Sequence, residues 1–231
     1  PGVYTYTVNG TAPCPNASAT VTVTENILPV AGTNGVLAVC SSIPPVALFA
    51  SLGGTPQAGG TWTAPGGIPF SGTYDPAVNG SGVYTYTVTG IAPCPNASAT
   101  VTVTETAAAF AGADASISIC SNNAVTNLFT LLTGAAAGGT WTAPGGGAFS
   151  GNYQPATDGP GADTYTVTGT APCPNDLAVV TVTENAATRA GLDGSLSICS
   201  SGVPPDLFAP RSGADPGGTW TAPGGGAFSG T

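Results

Sequence analysis

The feature that most constrains this chain is its internal repeat. The segment PGVYTYTVNGTAPCPNASATVTVTEN at 1–26 recurs as SGVYTYTVTGIAPCPNASATVTVTET at 81–106, with 22 of 26 positions identical, and a third copy ends at Asn185. A second block keeps the same beat: GGTWTAPGG begins at Gly59, Gly138 and Gly217, so Trp62, Trp141 and Trp220 are 79 residues apart. Self-similarity at a period of 79 to 80 residues marks one structural unit reused in tandem. Ala-, Asn- and Gly-rich stretches after each VTVTE set the phase. They give complete units at 27–106 and 107–185, a C-terminal half-unit at 1–26 and an N-terminal half-unit at 186–231. The half-units are complementary, lacking between them only the equivalent of 74–80. Either the chain is a window of a longer polypeptide, or each protomer completes its last domain with the first strands of another, a form of strand addition.

Within a unit, VYTYTV at 83–88 and ATVTVT at 99–104 alternate large apolar residues with Thr. That period of two, in β-branched and aromatic residues, predicts two strands with one buried face each. The turn-rich TGIAPCPNAS between them predicts an antiparallel hairpin. Segments 36–40, 46–52 and 61–63 read as further short strands, broken by Pro-Pro and Gly-Gly, and no stretch has a helical period. Some seven short strands around one Trp per unit predict an all-β fold: a tandem array of small immunoglobulin-like antiparallel β-sandwiches. The expected core is Trp62, Trp141 and Trp220 with Phe49, Phe129 and Phe208.

A core of this size is marginal, which gives the cysteines a purpose. They stand at 14, 40, 94, 120, 173 and 199, two per unit, in a chain with no His. An even, periodic set without metal-binding His indicates disulfides in an oxidising compartment. One phase pairs Cys40 with Cys94 and Cys120 with Cys173, closing loops worth roughly 4 kcal/mol each. It leaves Cys14 and Cys199 to neighbouring units. The other phase pairs Cys14 with Cys40, Cys94 with Cys120 and Cys173 with Cys199. We expect the first, because the second must fold a linker back on itself.

Charge narrows the function classes. Arg189 and Arg211 face 11 carboxylates, and the formal net charge is -9. Nothing is available to neutralise phosphates, so nucleic acid is not an expected partner, and docking on anionic lipid lacks its basic cluster. No apolar run approaches the roughly 18 residues of a spanning helix, so no membrane insertion is expected in this segment. No basic-then-apolar leader opens the chain, and an exported protein would carry its signal upstream. Without His or Lys, Ser and Cys nucleophiles lack an ordinary activating base. No pair of carboxylates recurs from unit to unit, since Gln154 stands for Asp75 and Asp163 stands where Tyr84 does. The chain reads as no enzyme, and no cofactor is expected.

Calcium is the one ion with candidate ligands. Glu105 and Glu184 end their strands, and Asp114 and Asp193 follow about nine residues later, so oxygens flank each linker. Each junction offers one or two carboxylates, and a solvated strand end is the expected state. Asn9, Asn16, Asn79 and Asn96 head N-x-[ST] sequons and are candidate glycosylation acceptors.

The series AG-x-[ND], C-S-[SN], LF, GGTW, FSG, YTYTV, APCPN and VTVTE resembles the tandem immunoglobulin-like or PKD-like repeats of large secreted cell-surface proteins of Bacteroidota and related bacteria, which are adhesins or gliding-associated. The resemblance spans the chain and implies a sandwich fold, a surface location and a role as stalk, fibre or adhesin. One departure is Trp62-Thr63-Ala64-Pro65-Gly66-Gly67, where PKD modules carry Trp-x-x-Gly-Asp-Gly. The first expectation is therefore a non-catalytic structural component of an extracellular fibre, filament or stalk, partnered head-to-tail by copies of the same repeat. The alternative is a multivalent adhesin or carbohydrate-binding module whose repeated loops engage surface glycans. Those loops are mostly Gly, Ala and Pro, which favours the structural reading.

Overall fold

A computed structural model describes residues 1–155, 157–203, 205–207 and 211–229. The chain forms two compact units, one of residues 1–110 with 167–176 and the other of 111–166 with 177–231.

In the first unit, strands β1 (Gly2–Val8) and β2 (Ala17–Val23) form an antiparallel hairpin. There follow β3 (Gly35–Cys40), β4 (Val46–Ala47), β5 (Thr61–Thr63), β6 (Pro69–Phe70), β7 (Thr73–Tyr74), β8 (Gly82–Val88) and β9 (Ala97–Thr106). They build a five-stranded sheet in the order β3-β9-β8-β5-β6 and a two-stranded sheet β4-β7. The alternation of Thr with apolar residues becomes the pleat. Tyr84 and Tyr86 of β8, and Ala99, Val101 and Val103 of β9, all point inward and are buried, while the Thr between them stay nearer solvent. Trp62 packs on Tyr86 with ring centroids 5.0 Å apart, and Phe70 on Tyr84 at 4.7 Å.

Two details depart from the sequence reading. β3 runs parallel to β9, from Gly35↔Val101 to Cys40↔Thr106, whereas the β5, β6, β8 and β9 pairings are antiparallel. Parallel neighbours need a long crossover, and the whole body of the repeat between β3 and β9 supplies it. The expected strand at 46–52 is only two residues of β4, followed by a 3-10 turn over Leu48–Ser51. A strand would send consecutive Leu48 and Phe49 to opposite faces. The turn instead buries Leu48 fully and lets Phe49 meet the edge of Tyr86 at 5.4 Å.

The second unit repeats the plan with β10 (Ala115–Cys120), β11 (Thr126–Asn127), β12 (Thr140–Thr142), β13 (Ala148–Phe149), β14 (Asn152–Tyr153), β15 (Gly161–Val167) and β16 (Asp176–Asn185). Its sheets are β10-β16-β15-β12-β13 and β11-β14. Trp141 is buried and lies opposite Tyr165 and Phe149, while Phe129 is half-buried. Near the C-terminus, β17 (Trp220–Thr221) and β18 (Ala227–Phe228) pair Trp220 with Phe228, as β5 pairs Trp62 with Phe70. Trp220 is half-buried, and Phe208 lies outside the described residues. The chain is thus an all-β array of small immunoglobulin-like sandwiches.

Candidate functional site

Three hairpin tips share one conformation. Asn16, Asn96 and Asn175 each accept, through Oδ1, the backbone N–H of Gly10, Gly90 and Gly169. The backbone N–H of Cys14, Cys94 and Cys173 each donates to the carbonyl three residues earlier. Glycine is required at the neck of this turn. A Cβ on Gly90 or Gly169 would run into the carbonyls of Cys94 and Pro95, or of Cys173 and Pro174.

At one tip the cysteine is bonded. Cys173 forms a disulfide with Cys40 at the end of β3, and both are buried. The Cys173 sulfur also stands 3.3 Å from the Thr106 carbonyl. This corrects both expected phases: Cys40 does not pair with Cys94, Cys120 does not pair with Cys173, and the Cys14–Cys40 alternative fails with them. The physical reason is the parallel edge. β3 ends beside the end of β9, at Cys40↔Thr106, whereas a hairpin tip lies at the start of β9, ten residues of extended strand away. Ten residues at about 3.3 Å each put the tip of the same repeat far outside the reach of a disulfide. The bond therefore joins cysteines of successive sequence repeats, while both lie in the first compact unit. Cys14, Cys94, Cys120 and Cys199 carry free thiols.

Three of the four calcium candidates are otherwise engaged. Glu105 accepts the Tyr74 hydroxyl at 2.8 Å and Glu184 accepts that of Tyr153 at 2.9 Å. Burial first, and then the bonded carboxylate, push each phenol up to about 12. Asp114 accepts the backbone N–H of Val179 through Oδ1, as Asn34 accepts that of Thr100. These acceptors pin the linker to the last strand of the sheet, and Asp193 is exposed. Among the described residues no three Asp, Glu, His or Cys side chains gather into a metal-holding group. Of the sequons, Asn9, Asn16 and Asn96 are exposed and Asn79 is half-buried, its Oδ1 accepting from Asp75.

Sequence reasoning passed over one feature. In the first repeat the Tyr84 hydroxyl donates back to the Gly80 carbonyl at 2.7 Å. A Tyr early in its strand bonding a few residues upstream is the tyrosine corner of immunoglobulin-type sandwiches. In the second repeat Asp163 takes that place. Its carboxylate is 1% exposed and its Oδ2 has no hydrogen-bond partner. Burial, and next the charge of Asp158, push its carboxyl up to about 6. Asp163 and Asp158 line an open cavity of about 430 Å³ with Phe149, Pro144 and Pro160. The sequence showed the substitution; its burial is visible only in the packed sheet.

The hairpin of β1 and β2 carries the same sequence as that of β8 and β9, yet Tyr4 is 62% and Tyr6 72% exposed. The apolar face buried in the complete repeats is bare there.

Among the described residues no helix is long and apolar enough to cross a membrane. No family model matches the chain, and no curated protein matches it. Among solved structures it is similar to an I-band fragment, I67-I69, from titin, at 12% identity and a TM-score of 0.43, over 80% of this chain and 75% of that one.

Proposed function

We propose that this chain is a non-catalytic structural segment of an extracellular fibre, filament or surface stalk, built of head-to-tail sandwich repeats like those of the large surface proteins of Bacteroidota. The observation that carries the reading is the Cys40–Cys173 bond, which ties one repeat of the sequence covalently to the next. A formed disulfide belongs to an oxidising compartment, and a tie between successive repeats serves a protein that bears load along its length. The absence of Lys and His from the sequence leaves nucleophiles without a base, in keeping with a passive role. The hairpin-tip and last-strand segments recur in every repeat, APCPN in all three and VTVTE in all three, so the same kind of contact can propagate from repeat to repeat without closing.

Electron microscopy of native material, with and without reductant, tests the proposal. Extended filaments or stalks on the cell exterior, weakened by reduction, are expected. Compact particles confined inside the cell would refute it. A glycan array probed with the purified chain separates the adhesin alternative, which requires saturable binding to a defined sugar.

A further inference from the structure

We propose that Cys40–Cys173 is one rung of a directional disulfide ladder, in which every hairpin-tip cysteine bonds the cysteine at the strand end of the preceding repeat. Cys94 and Cys120 are then two vacant halves of that rung, and each takes a cysteine from another repeat of this same type.

The structure shows both halves ready. On the tip side, the Cys94 sulfur stands 3.5 Å from the carbonyl of Asn26, and the Cys173 sulfur stands 3.3 Å from that of Thr106. Asn26 and Thr106 are the same position of the repeat, one period apart. Cys94 therefore waits at the end of a last strand, as Cys173 does. Among the described residues β1 and β2 pair only with each other, so no β3-type strand end stands beside Cys94. On the strand-end side, the backbone N–H of Ser41 donates to Thr106 and its hydroxyl accepts from Ala108. Ser121 repeats both bonds, to Asn185 and from Ala187 at 2.9 Å each. Cys120 is held at the end of β10 as Cys40 is at the end of β3, but it is exposed where Cys40 is buried. The half-units hold the matching parts: Cys14 sits in a tip of the same fold, and Cys199 occupies the strand-end position of the 186–231 segment. The ladder thus pairs Cys120 with a Cys14-type tip and Cys94 with a Cys199-type strand end.

Each rung forms by breaking two S–H bonds and making one S–S bond. Two electrons and two protons pass to a disulfide oxidant, which leaves as a pair of thiols.

The ladder rests on the head-to-tail reading, but it can fail alone. The full chain is oxidised with oxidised glutathione and its disulfides are mapped without reduction. Covalent multimers linked Cys14–Cys120 and Cys94–Cys199, returning to 22.1 kDa on reduction, are expected. A Cys120→Ser, Cys199→Ser double variant, altered only at exposed thiols, should lose the multimers and keep Cys40–Cys173. Tip-to-tip and strand-end-to-strand-end links in equal yield would overturn the ladder, as would Cys40–Cys94 pairing. So would filaments in which Cys94 and Cys120 stay free thiols, and that result would leave the fibre reading standing. The same map on native material separates two sources of the partner repeat, both consistent with the ladder. A reduced mass well above 22.1 kDa places it in the same polypeptide, and a mass of 22.1 kDa places it in a second copy.

Discussion

Replacing Asp163 by Tyr should stabilise the second repeat and remove most of its pH dependence. The folded carboxyl holds its proton up to about pH 6, against an ordinary value of 3.8. A raised acid favours the folded state only while protonated. Stability is therefore greatest below pH 4 and declines as the pH rises through 6. Two pH units correspond to roughly 3 kcal/mol if fully expressed, and water reaching the carboxylates through the open cavity screens this to about 2 kcal/mol. For a domain of this size, that lowers Tm by roughly 8 to 16 °C between pH 4 and pH 7. Asp163→Asn should flatten this slope without filling the cavity. Asp163→Tyr should flatten it and add about 2 to 4 kcal/mol at pH 7, from a ring packed on Phe149 and a hydroxyl returned to Gly159. Thermal unfolding of the full chain across this pH range measures the slope, with hydrogen exchange of the peptide covering 161–167 assigning it to the second repeat. A wild-type Tm flat from pH 4 to pH 7, or a Tyr variant that melts lower, would refute the reasoning.

Other tests follow from the same geometry. Tyr74→Phe should cost about 1 to 2 kcal/mol by leaving Glu105 without its phenol donor, read by urea unfolding. Because that phenol is held up to about 12 in the folded state, stability should also start to fall above pH 10. Gly169→Ala should open the tip that presents Cys173, so mapping finds less Cys40–Cys173 bond while the strands persist by circular dichroism. Cys40→Ser, which leaves Cys173 unpaired, should cost up to about 5 kcal/mol in the chain-entropy account, because the lost loop spans 133 residues. A loss no larger than that of Cys120→Ser would show the bond to be idle.

The sandwich was legible because its signals are local. Alternating VYTYTV and ATVTVT, turn residues at the tips and a Trp in each short TWT segment each act within a few positions of themselves. The 3-10 turn at Leu48 was not, since adjacent Leu and Phe read equally well as a strand until Tyr86 is in place to receive Phe49. The disulfides failed for a related reason. Counting cysteines per repeat assumes that each repeat closes on itself, but the parallel pairing of β3 with β9 moves Cys40 to the far end of the sheet from its own tip. Glu105, Glu184 and Asp114 at the linkers read from sequence as solvated strand ends, and the structure engages each of them. They hold Tyr hydroxyls and backbone amides, partners that no spacing rule reveals.

The reach of the Cys40–Cys173 bond has a bearing on damage. Every peptide bond from 41 to 172 lies inside one covalent loop, so a protease that cuts there once opens the loop and releases nothing. In a ladder, the next loop would begin at Cys120, before the first ends at Cys173. Successive loops overlap, and no single cut anywhere along the array parts it. Two cuts within one stretch between cysteines would then free a short peptide and still leave the array joined, and a thread exposed to foreign proteases would part only after a cut in each of three successive stretches, or where a reductant arrives with the protease.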